Sequence, residues 1–200
     1  MTKIKLCGLS RPCDIEATNE LKPDYIGFVF ARKSRRYVSP EQAAGLKRLL
    51  RPDIAAAGVF VNEKPEIVAG LLNSNIIDIA QLHGQEDEAY IRLLRTLTDK
   101  PVIQAFRVDT EQDIILAQNS PADYVLLDSG SGGTGTVFDW NLIQRLERPY
   151  FLAGGLDGSN IKEAIQNLKP YAVDVSSGIE TEGVKDKSKM KDFVHAVRSV

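Results

Sequence analysis

The chain has 200 residues, of which 43% are hydrophobic and 26% charged, with a formal net charge of −2. These values are ordinary for one globular domain with a substantial core. The near-neutral charge argues against a nucleic-acid partner, because such proteins usually carry a clustered basic excess. No apolar run approaches the roughly 20 residues that cross a bilayer, and the N-terminus lacks a signal-peptide pattern. The sequence therefore predicts a cytoplasmic protein with no membrane partner.

Short apolar strands alternate with amphipathic helical stretches along the whole chain. The apolar runs predict eight strands, at Ile4–Leu6, Tyr25–Phe30, Ala55–Val61, Ile79–Leu82, Val102–Phe106, Tyr124–Leu127, Tyr150–Ala153 and Ala172–Val175. The segments between them predict helices at Arg11–Asn19, Pro40–Leu50, Pro65–Asn73, Asp87–Leu97, Thr110–Asn119, Trp140–Leu146 and Ser159–Leu168, with a last helix at Lys187–Val197. The helix at Pro40 has the clearest start, because Ser39 and Gln42 form a capping-box pattern around its proline.

Eight strand–helix units within 200 residues match the repeat of a compact parallel barrel. The alternative is an open doubly wound sheet, but the first strand–helix turn, Cys7 to Arg11, lacks the GxGxxG fingerprint. We therefore predict one α/β domain over residues 1–200, folded as a (β/α)₈ TIM barrel.

Polar side chains follow the ends of several predicted strands. Cys7, His83 and Asp128 each come directly after an apolar run, as do Gly154-Gly155 and Ser176-Ser177-Gly178. In a parallel barrel these ends open onto one face, where the loops form the active site. One pocket would then hold a thiol, a carboxylic acid and two anion-binding loops. That combination indicates an enzyme acting on a phosphorylated small molecule.

Cys7 and Asp128 are the candidates for proton transfer. A thiol at the barrel mouth, near the loop with Arg11, should lose its proton more easily than an exposed cysteine, although a small buried packing residue is the alternative. A partly desolvated Asp128 would have a raised pKa and could serve as a general acid, unless it only caps the next turn. The other cysteine, Cys13, is expected to pack within a helix, and both thiols should be free. The polar segment Ser129–Gly135 could close over a ligand or be a plain linker.

Other residues are candidates for ligand binding. The loops after the last two strands, at Gly154-Gly155 and Ser176–Gly178, occupy the recurrent phosphate position of this fold. Arg36 or Arg35 could bind a carboxylate or phosphate, and the residues alone do not choose between them. His83 is as compatible with a structural hydrogen bond as with substrate contact. No group has metal-ligand spacing, and nothing in the sequence requires a cofactor.

An ordered set of motifs resembles phosphoribosylanthranilate isomerase of tryptophan biosynthesis. The resemblance covers nearly the whole chain. The matching segments are Lys5–Leu9, Gly27–Phe30, Lys33–Pro40, Gly58–Asn62, Gln81–Gly84, Leu127-Asp128, Gly132–Gly135, Phe138–Trp140, Ala153–Leu156 and Val173–Glu180. The family pattern often has isoleucine at Leu6 and threonine at Ser10, and both differences are mild.

The resemblance implies an Amadori rearrangement of N-(5-phosphoribosyl)anthranilate into the 1-deoxyribulose 5-phosphate derivative. In that family pattern Asp128 is the general acid and Cys7 the general base, Arg36 binds the anthranilate carboxylate, and the two loops bind the phosphate. Asp174 lies in a matching motif and would line the site or point into the barrel core.

Two alternatives stay open at this point. The related isomerase of histidine biosynthesis has an aspartate where Cys7 stands. A non-catalytic phospho-ligand-binding barrel would not need both Cys7 and Asp128. The sequence does not choose between a monomer and a homodimer.

Overall fold

The structure, a computed structural model, describes residues 1–128, 143 and 146–200. Eight parallel strands form a closed barrel in chain order, so the predicted TIM barrel is confirmed. The strands are β1 (Lys3–Cys7), β2 (Tyr25–Val29), β3 (Ala55–Phe60), β4 (Ile79–Leu82), β5 (Val102–Arg107), β6 (Tyr124–Asp128), β7 (Tyr150–Ala153) and β8 (Ala172–Val175). Each agrees with its predicted position to within one residue at either end.

The described helices surround the barrel. They are α1 (Pro12–Leu21), α2 (Pro40–Leu49), α3 (Pro65–Asn73), α4 (Glu88–Leu97), α5 (Glu111–Gln118), α6 (Ile161–Leu168) and α7 (Lys187–Arg198). The capping box predicted at α2 is present, because the Ser39 hydroxyl accepts from the Gln42 amide and the Gln42 side chain accepts from the Ser39 amide. Most of the predicted helix at Trp140–Leu146 and all of the predicted ligand-closing segment Ser129–Gly135 lie outside the described residues.

The barrel interior has layers that differ in chemistry. Strand side chains alternate, so on β1 Ile4 and Leu6 pack outward against the helices while Lys5 and Cys7 point inward. The lower interior is apolar and includes Ile103 and Phe151, with Tyr25, Tyr124 and Tyr171 packed around the Phe151 ring. At the mouth, Cys7 packs with Val29 and Val59. Buried polar side chains lie between these layers.

A small addition follows β8. Ser177–Ile179 forms a turn of 3₁₀ helix, and then β9 (Glu180–Thr181) pairs antiparallel with β10 (Val184–Lys185). Gly183 in the turn has φ +81, the left-handed region that glycine adopts without strain. The register places Glu180 opposite Lys185, so their side chains lie together beside the barrel mouth.

Candidate active site

A cavity of about 500 Å³ opens at the carboxyl ends of the strands. It contains nine of the ten predicted site residues, and Gly178 is the exception. The side chains and loops that line it are Cys7, Val29, Ala31, Ser34, Arg35, Arg36, Val59, Val61, Gln81, His83, Asp128, Ala153, Gly154, Gly155, Leu156, Asp174, Ser176 and Ser177. The expectation that scattered strand ends share one pocket therefore holds for this set.

Cys7 ends β1 and is buried, with 7% of its surface exposed. Its neighbour across the ladder is Gly27 on β2. A methyl group on Gly27 would lie 2.6 Å from the Cys7 sulfur, which is too close for any Cβ atom. Glycine at this position therefore leaves the space that the thiol occupies, a role that sequence reasoning did not assign.

Below Cys7, a buried ion pair crosses from β1 to β8. Lys5 and Asp174 are partners in the ladder, and Lys5 Nζ lies 2.8 Å from Asp174 Oδ2. Burial alone would lower the pKa of Lys5, but the adjacent Asp174 raises it above its usual value, so the ammonium stays charged. Asp174 was expected to line the site or to enter the core, and it does both.

The environment of Cys7 differs from the expectation. Burial raises the pKa of the thiol, and the charge of Lys5 only partly opposes this effect. Arg11, which was expected to favour deprotonation, instead binds Asp14 and the carbonyl of Lys185. The expectation of an easily ionised thiol beside Arg11 was therefore wrong. Cys13 was also misplaced, because it is exposed rather than packed, although both cysteines are free thiols.

Asp128 ends β6, with 29% of its side chain exposed. His83 Nε2 lies 3.4 Å from Asp128 Oδ2, and His83 Nδ1 lies 3.1 Å from the Gln81 amide nitrogen. That amide nitrogen can only donate, so the proton of a neutral His83 ring lies on Nε2, which faces the carboxylate. The contact gives His83 a structural partner in the cavity, while substrate contact by His83 stays a prediction.

The two arginines of the basic run share one acceptor. Arg36 donates from Nε and Nη2 to the two carboxylate oxygens of Glu180, at 2.6 and 2.8 Å. Arg35 donates to Glu180 Oε2 at 2.9 Å, but 61% of its side chain is exposed, against 22% for Arg36. Arg36 is thus held at the cavity by a two-point ion pair, and Glu180 is a further residue that the sequence did not single out.

The predicted phosphate loops come together after β7 and β8. Gly154 and Gly155 have φ of +91 and +61, so both backbones need glycine. Ser176 donates its hydroxyl to the Cys7 carbonyl at 3.2 Å. Within the described part of the chain, the backbone N–H groups of Gly155 and Ser177 make no hydrogen bond. They are donors beside the cavity, the arrangement that binds an anion.

Gly178 does not line the cavity. A methyl group there would lie 2.0 Å from the Leu156 carbonyl oxygen, so the glycine allows the loop after β8 to approach the loop after β7. In the described ranges, no group of three His, Cys, Asp or Glu side chains is placed to hold a metal ion.

Comparison with known proteins agrees with this geometry. The family model for N-(5'phosphoribosyl)anthranilate (PRA) isomerase matches residues 4–196. The chain belongs to the PRA isomerase family. A PRA isomerase from Endomicrobium trichonymphae is 45% identical over 204 residues, which covers 100% of both chains.

Solved structures give the same result. A PRA isomerase in complex with reduced 1-(o-carboxyphenylamino)-1-deoxyribulose 5-phosphate is 36% identical, with a TM-score of 0.89 over 100% of both chains. A PRA isomerase from Thermus thermophilus is 32% identical, with the same TM-score over 99% of both chains. As a member of the PRA isomerase family, the protein is an isomerase of tryptophan biosynthesis, and the resemblance inferred from the motifs is confirmed.

Proposed function

We propose that this cavity converts N-(5-phosphoribosyl)anthranilate into 1-(2-carboxyphenylamino)-1-deoxyribulose 5-phosphate with Asp128 as general acid and Cys7 as general base. The observation that carries the proposal is that both groups line one cavity from β1 and β6, on separate parts of the barrel wall. An acid that protonates the ring oxygen and a base that takes a proton from C2 need such a separation.

The proton transfers balance without an oxidant or reductant. Asp128 gives a proton to the furanose ring oxygen, the bond from that oxygen to C1 breaks, and a protonated Schiff base forms. The Cys7 thiolate takes the proton from C2, and the electron pair of that bond makes an enolamine. Loss of the C2 hydroxyl proton and protonation of C1 then give the ketone.

Other groups of the cavity suit the unreactive parts of this substrate. The Arg36 guanidinium suits the anthranilate carboxylate, and the N–H groups of Gly155 and Ser177 suit the phosphate. Two buried acceptors in the cavity, Gln81 Oε1 and Asp174 Oδ1, have no hydrogen-bond partner among the described residues. They suit sugar hydroxyl groups, because buried polar atoms are normally hydrogen-bonded.

The test compares the phosphorylated substrate with its dephosphorylated form in a fluorescence assay. The phosphate does not react, so its binding energy serves to place the sugar between acid and base. We expect the dephosphorylated form to lose kcat/KM by orders of magnitude, and inorganic phosphate to compete with substrate. Equal turnover of both forms would contradict the phosphate assignment. The absence of turnover of the phosphorylated form would contradict the proposed reaction.

The cellular setting follows from the same proposal. Among the described helices, none is long and apolar enough to cross a membrane. We place the reaction in the cytosol, where free thiols such as Cys7 stay reduced. Fractionation of cell extracts tests this location, and we expect the protein in the cytosolic fraction rather than with the membranes.

A further inference from the structure

The hairpin after β8 carries two buried charged side chains at the edge of the active site. Glu180 and Lys185 face each other across β9 and β10, and 8% and 7% of their surfaces are exposed. Lys185 Nζ lies 2.7 Å from Glu180 Oε1. Lys185 also donates to the carbonyl of Ser176 at 2.8 Å, so the hairpin is fixed to the loop after β8.

The same carboxylate fixes the plane of Arg36. Its two oxygens accept from Nε at 2.6 Å and from Nη2 at 2.8 Å, which is the two-point geometry that orients a guanidinium. The stem of Arg36 is fixed as well, because it passes over Gly8, where a methyl group would lie 2.5 Å from Arg36 Cδ. Glu180 does not accept a hydrogen bond from Nη1, the third nitrogen of the guanidinium group. This nitrogen is therefore left to bind a ligand in the cavity.

The charges around Glu180 do not cancel. Arg35 and Arg36 both pair with it, and guanidinium groups stay ionised at any ordinary pH. Burial alone would raise the pKa of Glu180, but hydrogen bonds from Arg36 and Lys185 lower it to about 2. One ionised carboxylate therefore faces two guanidinium groups, so this side of the cavity keeps a positive charge that an anionic ligand group would balance. The third partner, Lys185, adds less to this charge, because burial lowers its pKa.

We propose that Glu180 is a positioning residue that aims the Arg36 guanidinium at the carboxylate of the substrate's aromatic ring, and thereby sets the preference for an ortho-carboxylated arylamine. The proposal rests on the proposed function, in which Arg36 is the carboxylate ligand. Without Glu180, Arg36 keeps its charge but loses the two contacts that fix its plane. The expected defect is therefore one of discrimination between substrates rather than of proton transfer.

The experiment measures kcat and KM for two substrates, N-(5-phosphoribosyl)anthranilate and the aniline analogue that lacks the carboxylate. The variants are Glu180→Gln and Arg36→Met. The matched control is Glu182→Gln, which removes the same charge from an exposed position in the turn of the same hairpin. We expect the native protein to prefer the carboxylated substrate by roughly 10- to 150-fold, as for one charge-assisted contact.

Glu180→Gln should remove most of that preference, mainly by raising KM for the anthranilate substrate. Turnover of the aniline analogue should change by less than about threefold, because the acid and base are untouched. Glu182→Gln should keep the native preference. Arg36→Lys gives a second test that leaves the hairpin intact. It keeps the charge but not the two-point geometry, so the preference should again be largely lost.

Four results would overturn the inference. An equal loss on both substrates in Glu180→Gln would mean that Glu180 only supports the fold. A native preference in Arg36→Lys would mean that charge alone is sufficient. A preference lost in Arg36→Met but kept in Glu180→Gln would show that Arg36 needs no positioning. If the native protein does not discriminate and Arg36→Met changes nothing, the carboxylate assignment itself fails, and the inference fails with it.

Discussion

The two proposed proton-transfer groups lie at equivalent strand ends but in opposite surroundings. Cys7 is 7% exposed and stands above the fully buried Lys5. Asp128 has 29% of its side chain exposed, beside His83, which is about equally open to solvent. The proposed base therefore lies in the protein interior, whereas the proposed acid lies at the water-facing part of the cavity.

This difference determines how much each neighbour can do. A charge acts more strongly on a buried group than on one that water screens, because the effective dielectric constant is lower inside the protein. Lys5 should therefore control the ionisation of Cys7, whereas His83 should change the acid only slightly. Similar positions on the barrel can thus give one neighbour with strong control, Lys5 beside Cys7, and one with weak control, His83 beside Asp128.

The largest effects should come from removing the two groups themselves. We expect Cys7→Ser and Asp128→Asn each to fold and to lose about 10²- to 10⁴-fold in kcat, the usual contribution of a placed acid or base. Steady-state kinetics with a matched circular dichroism spectrum checks this. A Cys13→Ser variant is the control for thiol chemistry, because Cys13 is exposed on α1, away from the cavity. Near-native kcat in a folded Cys7→Ser protein would place the base elsewhere.

An intermediate effect should follow from Lys5→Met. Burial raises the pKa of Cys7 and Lys5 opposes it, so removing the ammonium should raise that pKa further. The thiolate is the basic form. The rising limb of kcat/KM should consequently move to higher pH, with activity lost near neutrality and recovered in alkali. The loss at neutral pH should be at most roughly 10²-fold, below that of Cys7→Ser.

A separate measurement of the thiol tests the cause of that shift. The thiolate absorbance of Cys7, taken as the difference from Cys7→Ser, should titrate at higher pH in Lys5→Met. Because Lys5→Met leaves Asp174 as a buried unpaired charge, we expect a loss of about 3–5 kcal/mol in unfolding free energy. The double variant Lys5→Met/Asp174→Asn should recover stability. The charge of Asp174 raises the pKa of Cys7 while that of Lys5 lowers it, so the double variant is compared with Asp174→Asn alone. The same thiol titration in both would show that Lys5 does not control Cys7.

The smallest effect should come from His83→Asn. The contact with Asp128 is 3.4 Å long and partly exposed, and such pairs contribute about 0–1 kcal/mol. We therefore expect kcat to change by less than about fivefold at every pH tested. A large rise in KM with unchanged kcat would instead indicate that His83 contacts the substrate. A large fall in kcat would mean that the acid side is controlled as tightly as the base side.

Strand ends were predictable because they depend on local pattern. Apolar runs followed by Cys7 or Asp128 predict where each strand lies and that it ends at the mouth of the barrel. The surroundings of Cys7 were not predictable, because Arg11 is near in sequence but turns to Asp14. Lys5 lies beside Cys7 on β1, but the partner that keeps it charged, Asp174, is 169 positions away on β8. A polar residue within an apolar strand was the available signal for Lys5.

The hairpin after β8 was missed for a related reason. Its strands have two residues each, which is too short for an alternating pattern. The Glu180–Arg36 contact also joins residues 144 positions apart, and nothing local indicates it. The glycine in the turn, Gly183, was the only local sign of a reversal. Sequence reasoning therefore placed Cys7 and Asp128, the proposed proton-transfer groups, at the cavity, but it did not find the residues around them.

The Lys5–Asp174 pair also bears on how this protein can change under selection. Replacing a buried ion pair with apolar residues of similar volume is often neutral or stabilising by about 1–4 kcal/mol. A selection for heat resistance alone would thus favour an apolar middle layer in the barrel. Because Lys5 is proposed to control Cys7 and Asp174 keeps Lys5 charged, a selection that includes tryptophan prototrophy is expected to retain both charges. At these two positions, higher stability and retained activity are therefore expected to favour different residues.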